Sequence, residues 1–292
     1  MSATLRPPQM AGTWYPGDAG GLSRLLESLR AQVPGDAPRL PAATRLAGLL
    51  APHAGYRYSG RSAARAYAAL GDWRPARVVV VAPSHREGFR GVSAWSPQEG
   101  RPAPGAWSTP LGPVEIDADF LGRLADCPGL RYGQAGHRQE HALELQLPFL
   151  QHALGSFRLA PLALGDQGRA QVLELGRALA EALSDLEDVP TLLVASSDLS
   201  HFHDLPRARE LDGRFLELLA RGDEHALLAD LAAGVCEACG GGPAAAVLHV
   251  CRRRLGQVRV ETLDYSTSAD ETGDADSVVG YGAALIREAG HA

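Results

Sequence analysis

The stretch RVVVVAPSH, Arg77 to His85, decides the architecture. Its apolar run has no polar alternation, so both faces of the strand must be covered. A strand buried on both faces belongs to a parallel sheet packed between helices. Just upstream, RLAGLLA reads as a second strand of the same kind, and GRSAARAYAAL between the two reads as a helix. Together they form a β-α-β unit. Both strands run into Ala-Pro and then a histidine at the tip of the turn: His53 in LLAPHAGYRYSG (Leu49 to Gly60) and His85 in VVVVAPSHREG (Val78 to Gly88). Proline fixes its own φ and restricts the residue before it, so each turn holds its imidazole with little backbone freedom.

Toward the N-terminus, DAGGLSRLLESLRAQV spaces Leu22, Leu25, Leu26, Leu29 and Val33 as one helical face, with Asp18 as its cap. Toward the C-terminus, Gly88 to Pro113 is rich in Gly, Pro and Ser and reads as a long loop with room for one hairpin. A helix over Asp117–Ala125 follows, then one through EHALELQLPFLQHAL, bent at Pro148. FRLAPLAL and TLLVAS read as strands around the helix QGRAQVLELGRALAEALSD. Two or three helices fill Arg207 to Leu255, and VRVETLDYS and SVVGYGAALI close the chain as strands. No repeat and no Pro/Gly/Ser linker interrupts this order. The expectation is one α/β domain over residues 1–292, with a central, mainly parallel sheet flanked by helices.

Composition narrows the function. The chain has 292 residues, 45% hydrophobic and 21% charged, with a net charge of −6. With no Lys/Arg-rich run, nucleic acid is not the expected partner. MSATLRPPQMAG lacks the apolar core of an export signal, and no apolar stretch of about 18 residues occurs, so no membrane is expected either. Four cysteines, Cys127, Cys236, Cys239 and Cys251, fit reduced thiols in a cytoplasm better than a disulfide scaffold.

A third strand, in TLLVASSDLSHFH, ends in Ser196, Ser197, Asp198, His201 and His203. Ligands of α/β sheets bind beyond the carboxyl ends of the strands. Three such ends carry His53, His85 and the Asp198/His201 pair, so the turns are expected to converge on one pocket. Neutral imidazole is the commonest metal ligand, and two histidines need only one or two further donors. CEACGGGPAAAVL offers one. Cys236 and Cys239 form a C-x-x-C without a second pair, which argues against structural zinc. Cys239 precedes Gly240–Gly242 and Pro243 at the start of a helix, a place that favours the thiolate and makes it the expected reactive thiol. Cys127, Cys236 and Cys251 read as small core residues. In HRQEHALELQLPF, helical spacing puts His141 and Glu144 on one face, as metal donors, as support for a donor, or as a solvated charged face. The acidic ADETGDADS lacks the spacing of an EF-hand loop and reads as a solvated turn.

AGTWYPG, APHAGYRYSG, PSH, EHALELQLPFL, SSDLSHF and CGGGP, in this order from Ala11 to about residue 285, resemble the MEMO1 family, also called protein B of the AmmeMemoRadiSam system. That family's fold is similar to class III extradiol dioxygenases, non-haem iron enzymes. The resemblance implies a core of about residues 11–287, with His53 and His85 as metal ligands and Cys239 in the place where the dioxygenases use a carboxylate. It further implies His201 as acid/base with Asp198 beside it, and a pocket walled by Trp14, Tyr15, Tyr56, Ser84, His141, Glu144 and Ser197. AMMECR1-type and radical-SAM proteins are the partners it implies.

A thiolate is softer than a carboxylate and itself oxidisable, so the expected metal is Fe(II) or copper, with zinc as a further fit. With an unknown small molecule or peptide as the expected ligand, three functions follow from these residues: a dioxygenase-like, metal-dependent oxidoreductase; a non-catalytic module that captures a peptide or a partner protein; and a metal-handling protein. Fold analogy alone does not choose among them.

Overall fold

Val78 to Val81 are fully buried in the computed structural model, which describes residues 4–290. Each such side chain contributes roughly 1.5–3 kcal/mol by leaving water. The elements follow in chain order. They begin with β1 (Thr4–Arg6), α1 (Ala19–Ala31), β2 (Leu46–Ala51), α2 (Tyr56–Ala68), β3 (Arg77–Pro83), β4 (Val92–Trp95), β5 (Gly105–Thr109) and β6 (Gly112–Glu115). Next come α3 (Ala118–Gly122), β7 (Leu130–Gly133), α4 (Gln146–Leu154), β8 (Arg158–Leu164), α5 (Arg169–Ala182), β9 (Thr191–Ser196) and β10 (His201–His203). The last are α6 (Leu205–Ala220), α7 (Glu224–Ala232), α8 (Gly241–Leu255), β11 (Val258–Thr267), α9 (Ala269–Thr272) and β12 (Val278–Glu288).

Among the described residues, β10-β12-β2-β9-β3-β8-β4-β7 form the main sheet, with β11 paired to β12. Its centre, β2-β9-β3-β8, is parallel, as the continuous apolar runs require. Antiparallel pairings at β12–β2 and β8–β4 make the whole sheet mixed. The central strands are covered by helices: α8 packs across β2, β9 and β3 beside α5, while α2 packs on β2 and β12 with α1 and α4 against it. Asp18 caps α1 as expected, accepting from the Gly21 N–H at 2.8 Å.

Two local expectations change. Gly88 to Pro113 is not mainly loop: β4 joins the main sheet and β5 forms a second, three-stranded sheet with β1 and β6. The β5–β6 pair is the hairpin for which the sequence leaves room, while the composition hid β4, whose partners β8 and β7 lie far away in sequence. The helix at EHALELQLPFLQHAL starts only at Gln146. Pro148 therefore sits in the first turn, where a missing N–H costs nothing, and it does not bend the helix. No helix among the described residues is long and apolar enough to cross a membrane.

Candidate metal centre

The site begins with strand register. β9 lies between β2 and β3, with Ala51 opposite Ser196 and Val81 opposite Ala195, so the three strands end at nearly the same level. The Ser197 N–H donates to Ala51 O at 3.0 Å and carries this alignment one step past the strand ends. Because the strands are parallel, the turns bearing His53, His85 and Asp198/His201 leave the same edge.

The imidazoles of His53 and His85 lie 5.2 Å apart, centroid to centroid, and His141 lies 5.4 Å from His53 and 4.7 Å from His85. Each offers a ring nitrogen within 4.8 Å of the other two, so the three are able to hold one metal ion. His53 Nδ1 meets Ser196 Oγ at 2.8 Å, and His85 Nδ1 meets Glu140 Oε1 at 3.0 Å. The His85 backbone N–H donates to Glu140 Oε2 at 2.6 Å. His141 Nδ1 is 3.3 Å from Glu140 Oε1 but out of line for a hydrogen bond, and this buried atom has no other partner. An orphaned nitrogen in a cluster of imidazoles fits a cation better than it fits a packed core.

Electrostatics favour the neutral, electron-donating form of His53 and His141. Burial, then the nearby His85 charge, holds His53 well below the usual histidine range. Burial and the charge of His53 bring His141 down to about 4. Burial alone would raise Glu140, but the His85 hydrogen bond and charge, with the Ala142 N–H, hold it at about 2. One carboxylate therefore sits behind the cluster, ionised at neutral pH.

Cys239 approaches from the start of α8, its Sγ 3.1 Å from His53 Nε2. The expected bias toward thiolate is reversed here. Burial, then the Asp198 carboxylate, pushes this thiol well up. The glycine N–H groups are used elsewhere: Gly240 donates to Ser197 Oγ, Gly241 to Ala238 O and Gly242 to Gln167 Oε1. Among the described residues, the backbone N–H that reaches the sulfur is that of Asp198, at 3.3 Å. Gly240 is needed for space, because a Cβ there would stand 2.2 Å from Ser196 O. Cys127, Cys236 and Cys251 are buried, and burial lifts Cys236 to about 11.

Asp198 accepts from the N–H groups of His53 (2.8 Å) and Ala54 (3.3 Å), so it braces the His53 turn. Among the described residues no hydrogen bond joins it to His201. His201 instead lines, with Cys239, Arg169, Leu228, Leu231 and Glu237, a cavity of about 470 Å³. The next residue, Phe202, is 77% exposed and has a φ of 63°. That left-handed conformation costs a non-glycine residue roughly 1–2 kcal/mol.

The remaining predicted pocket residues divide. Trp14 packs its ring 4.6 Å from His141. Glu144 does not share a face with His141, since both precede α4. It turns instead to the N-terminal segment, accepting from Arg6, the Gln9 and Met10 N–H groups and Tyr15 Oη. Tyr15 stacks on Tyr56, whose hydroxyl donates to Leu145 O, so both serve as packing behind Trp14. Ser84 closes its own turn on Glu87 O, and Ser197 ties the Cys239 loop to β9. Sequence reasoning did not assign Glu140, Ser196 or Gln146 to the site. Their signals differed: Gln146 is a polar residue between Leu145 and Leu147, Ser196 stands in the polar cluster that ends its strand, and Glu140 sits beside His141 in a charged run. The acidic stretch from Asp270 to Ser277, which begins in α9, is exposed, with Asp270 accepting from the Thr267 N–H.

The model of a family described as Memo-like protein matches residues 6–285 of this chain. A MEMO1 family protein of Methanopyrus kandleri is 35% identical over 288 residues, covering 97% of this chain and 99% of the relative. Another, of Methanothermobacter thermautotrophicus, is 34% identical over 281 residues, covering 95% and 98%. Among solved structures, an uncharacterized protein from Escherichia coli K12 aligns with a TM-score of 0.49 at 20% identity, covering 82% of this chain and 98% of that one.

Proposed function

This chain belongs to the MEMO1 family, and on that premise we propose that it is a metal-dependent redox protein whose pocket binds one non-haem ion, Fe(II) or copper. His53 and His85 would hold the ion, with His141 and Cys239 as the further donors. The observation that carries this reading is the mutual approach of three imidazoles within 4.8 Å, two of them backed at Nδ1 by protein oxygens. Such backing orients a ligand ring and strengthens its free nitrogen as a donor. When bound, the ion would supply the redox chemistry of the site.

The chain's own residues have distinct parts in this reading. Asp198 fixes the His53 turn, Trp14 shields one side of His141, and His201 faces the adjoining cavity, where it is placed to hold or move a proton of a bound small molecule or peptide. Four free cysteines suit a reducing compartment such as the cytoplasm. Partners of the AMMECR1 and radical-SAM types belong to the same proposal.

A second reading, a peptide- or partner-binding module, is favoured by Phe202, an exposed aromatic held in strained backbone next to a cavity-lining histidine. The test that separates the two is elemental analysis of anaerobically purified protein. Wild type should carry Fe, Cu or Zn, and His53→Ala and His85→Ala should each lose it. Equal metal in all three would remove the first reading.

A further inference from the structure

His53 is held in one proton arrangement by a buried chain of hydrogen bonds that runs away from the pocket. Ser196 Oγ has three neighbours: Ala142 O at 2.7 Å, Gln146 Nε2 at 2.7 Å and His53 Nδ1 at 2.8 Å. A carbonyl oxygen only accepts, so the single hydroxyl proton of Ser196 goes to Ala142 O. Turned any other way, the hydroxyl would set two lone pairs against each other at 2.7 Å.

Gln146 is fixed in the same manner. Its Nε2 faces Pro52 O at 3.0 Å as well as Ser196 Oγ, so the nitrogen end is the donor, and its Oε1 accepts from Tyr67 Oη at 2.6 Å. Flipping the amide would bring its oxygen against Pro52 O. Both Gln146 hydrogens are thus committed, one of them to Ser196. Ser196, with its proton given to Ala142 and one acceptor site filled by Gln146, has only an acceptor site left for His53. Ser196 and Gln146 are fully buried, His53 is 1% exposed and Tyr67 3%, so bulk water has no access to rearrange the chain.

We infer that Ser196 and Gln146 are positioning residues that lock His53 as the Nδ1–H tautomer and so keep the Nε2 lone pair aimed into the pocket. The Nε2 atom is the one that Cys239 Sγ approaches at 3.1 Å. With the proton on the wrong nitrogen, His53 would present an N–H there and could not donate to a cation. Neither residue touches the pocket in this account; both act through His53.

The test is the ring tautomer of His53 in metal-free protein, read from long-range ¹H–¹⁵N spectra with ¹⁵N-labelled histidine and assigned by the peak missing in His53→Asn. Wild type should show the proton on Nδ1. Ser196→Ala and Gln146→Leu should each let an Nε2–H population appear, and Ser196→Ala should weaken Zn(II) binding about tenfold. An Nε2–H ring in wild type overturns the inference whether or not either variant folds. So does a Ser196→Ala protein with unchanged tautomer and unchanged affinity. The affinity arm rests on the proposed metal reading and the tautomer arm does not: a wild type that binds no metal but shows Nδ1–H defeats that reading alone.

Discussion

His53 and His85 follow parallel strands that flank β9, each behind the same Ala-Pro lead, yet the protein holds them in opposite ways. His53 is almost wholly buried and its Nδ1 rests on a neutral hydroxyl inside a dry hydrogen-bond chain. The His85 side chain is 29% exposed, and its Nδ1 rests on a carboxylate, Glu140, that also accepts from its backbone N–H. One ligand is fixed by packing and proton bookkeeping, the other by charge. The same local motif therefore sets where a histidine stands but not how strongly it donates. That is set by partners that approach from residues 140–146 and from the end of β9. Ala142 joins the halves: its N–H goes to Glu140 and its C=O takes the Ser196 proton.

The contrast breaks most visibly at Glu140. Glu140→Gln removes the charge behind His85 and should weaken metal binding about a hundredfold, the upper end for loss of an outer partner. Ser196→Ala, on the neutral side, should cost about a tenth of that. Calorimetric titration of metal-free protein with Zn(II) checks the order, and a larger loss for Ser196→Ala would reverse the comparison.

Acid sharpens it with a smaller effect. His141 at about 4 and buried His137, brought to about 3 mainly by burial, sit below the ordinary histidine value of 6.5. Their neutral forms are favoured by the fold, so the unfolded chain binds more protons below pH 6.5, and stability present above that pH is lost as it falls. Glu140, lowered from 4.5 to about 2, adds its loss only between those values. The melting temperature of metal-free protein should fall from about pH 7 to about pH 5, and Glu140→Gln should follow the same slope over that range. A flat profile would contradict the burial account.

Much of this was legible in the sequence, for physical reasons. Continuous runs such as Val78–Val81 announce strands buried on both faces, and a parallel sheet dictates that their turns share an edge, which is how His53, His85 and Asp198 came to be placed together. Inside Gly88–Pro113 the room left for one hairpin is filled by β5 with β6, whereas β4 was illegible because its partners, β8 and β7, are distant in sequence. Helical spacing misread His141 and Glu144, since the chain before Gln146 is a turn that sends one residue to the histidine cluster and the other to Arg6 and Tyr15. The thiol at Cys239 was misread because a helix start predicts thiolate only where the backbone N–H groups are free, and here they are committed to Ser197, Ala238 and Gln167.

The central claim is that imidazole nitrogens of the His53–His85–His141 cluster hold a metal ion. X-ray absorption of the Zn(II)-loaded protein tests it most directly. The account predicts imidazole scattering around the metal in wild type, diminished in His53→Ala and in His85→Ala. An oxygen-only shell in wild type, or an imidazole signal unchanged by both substitutions, would contradict it.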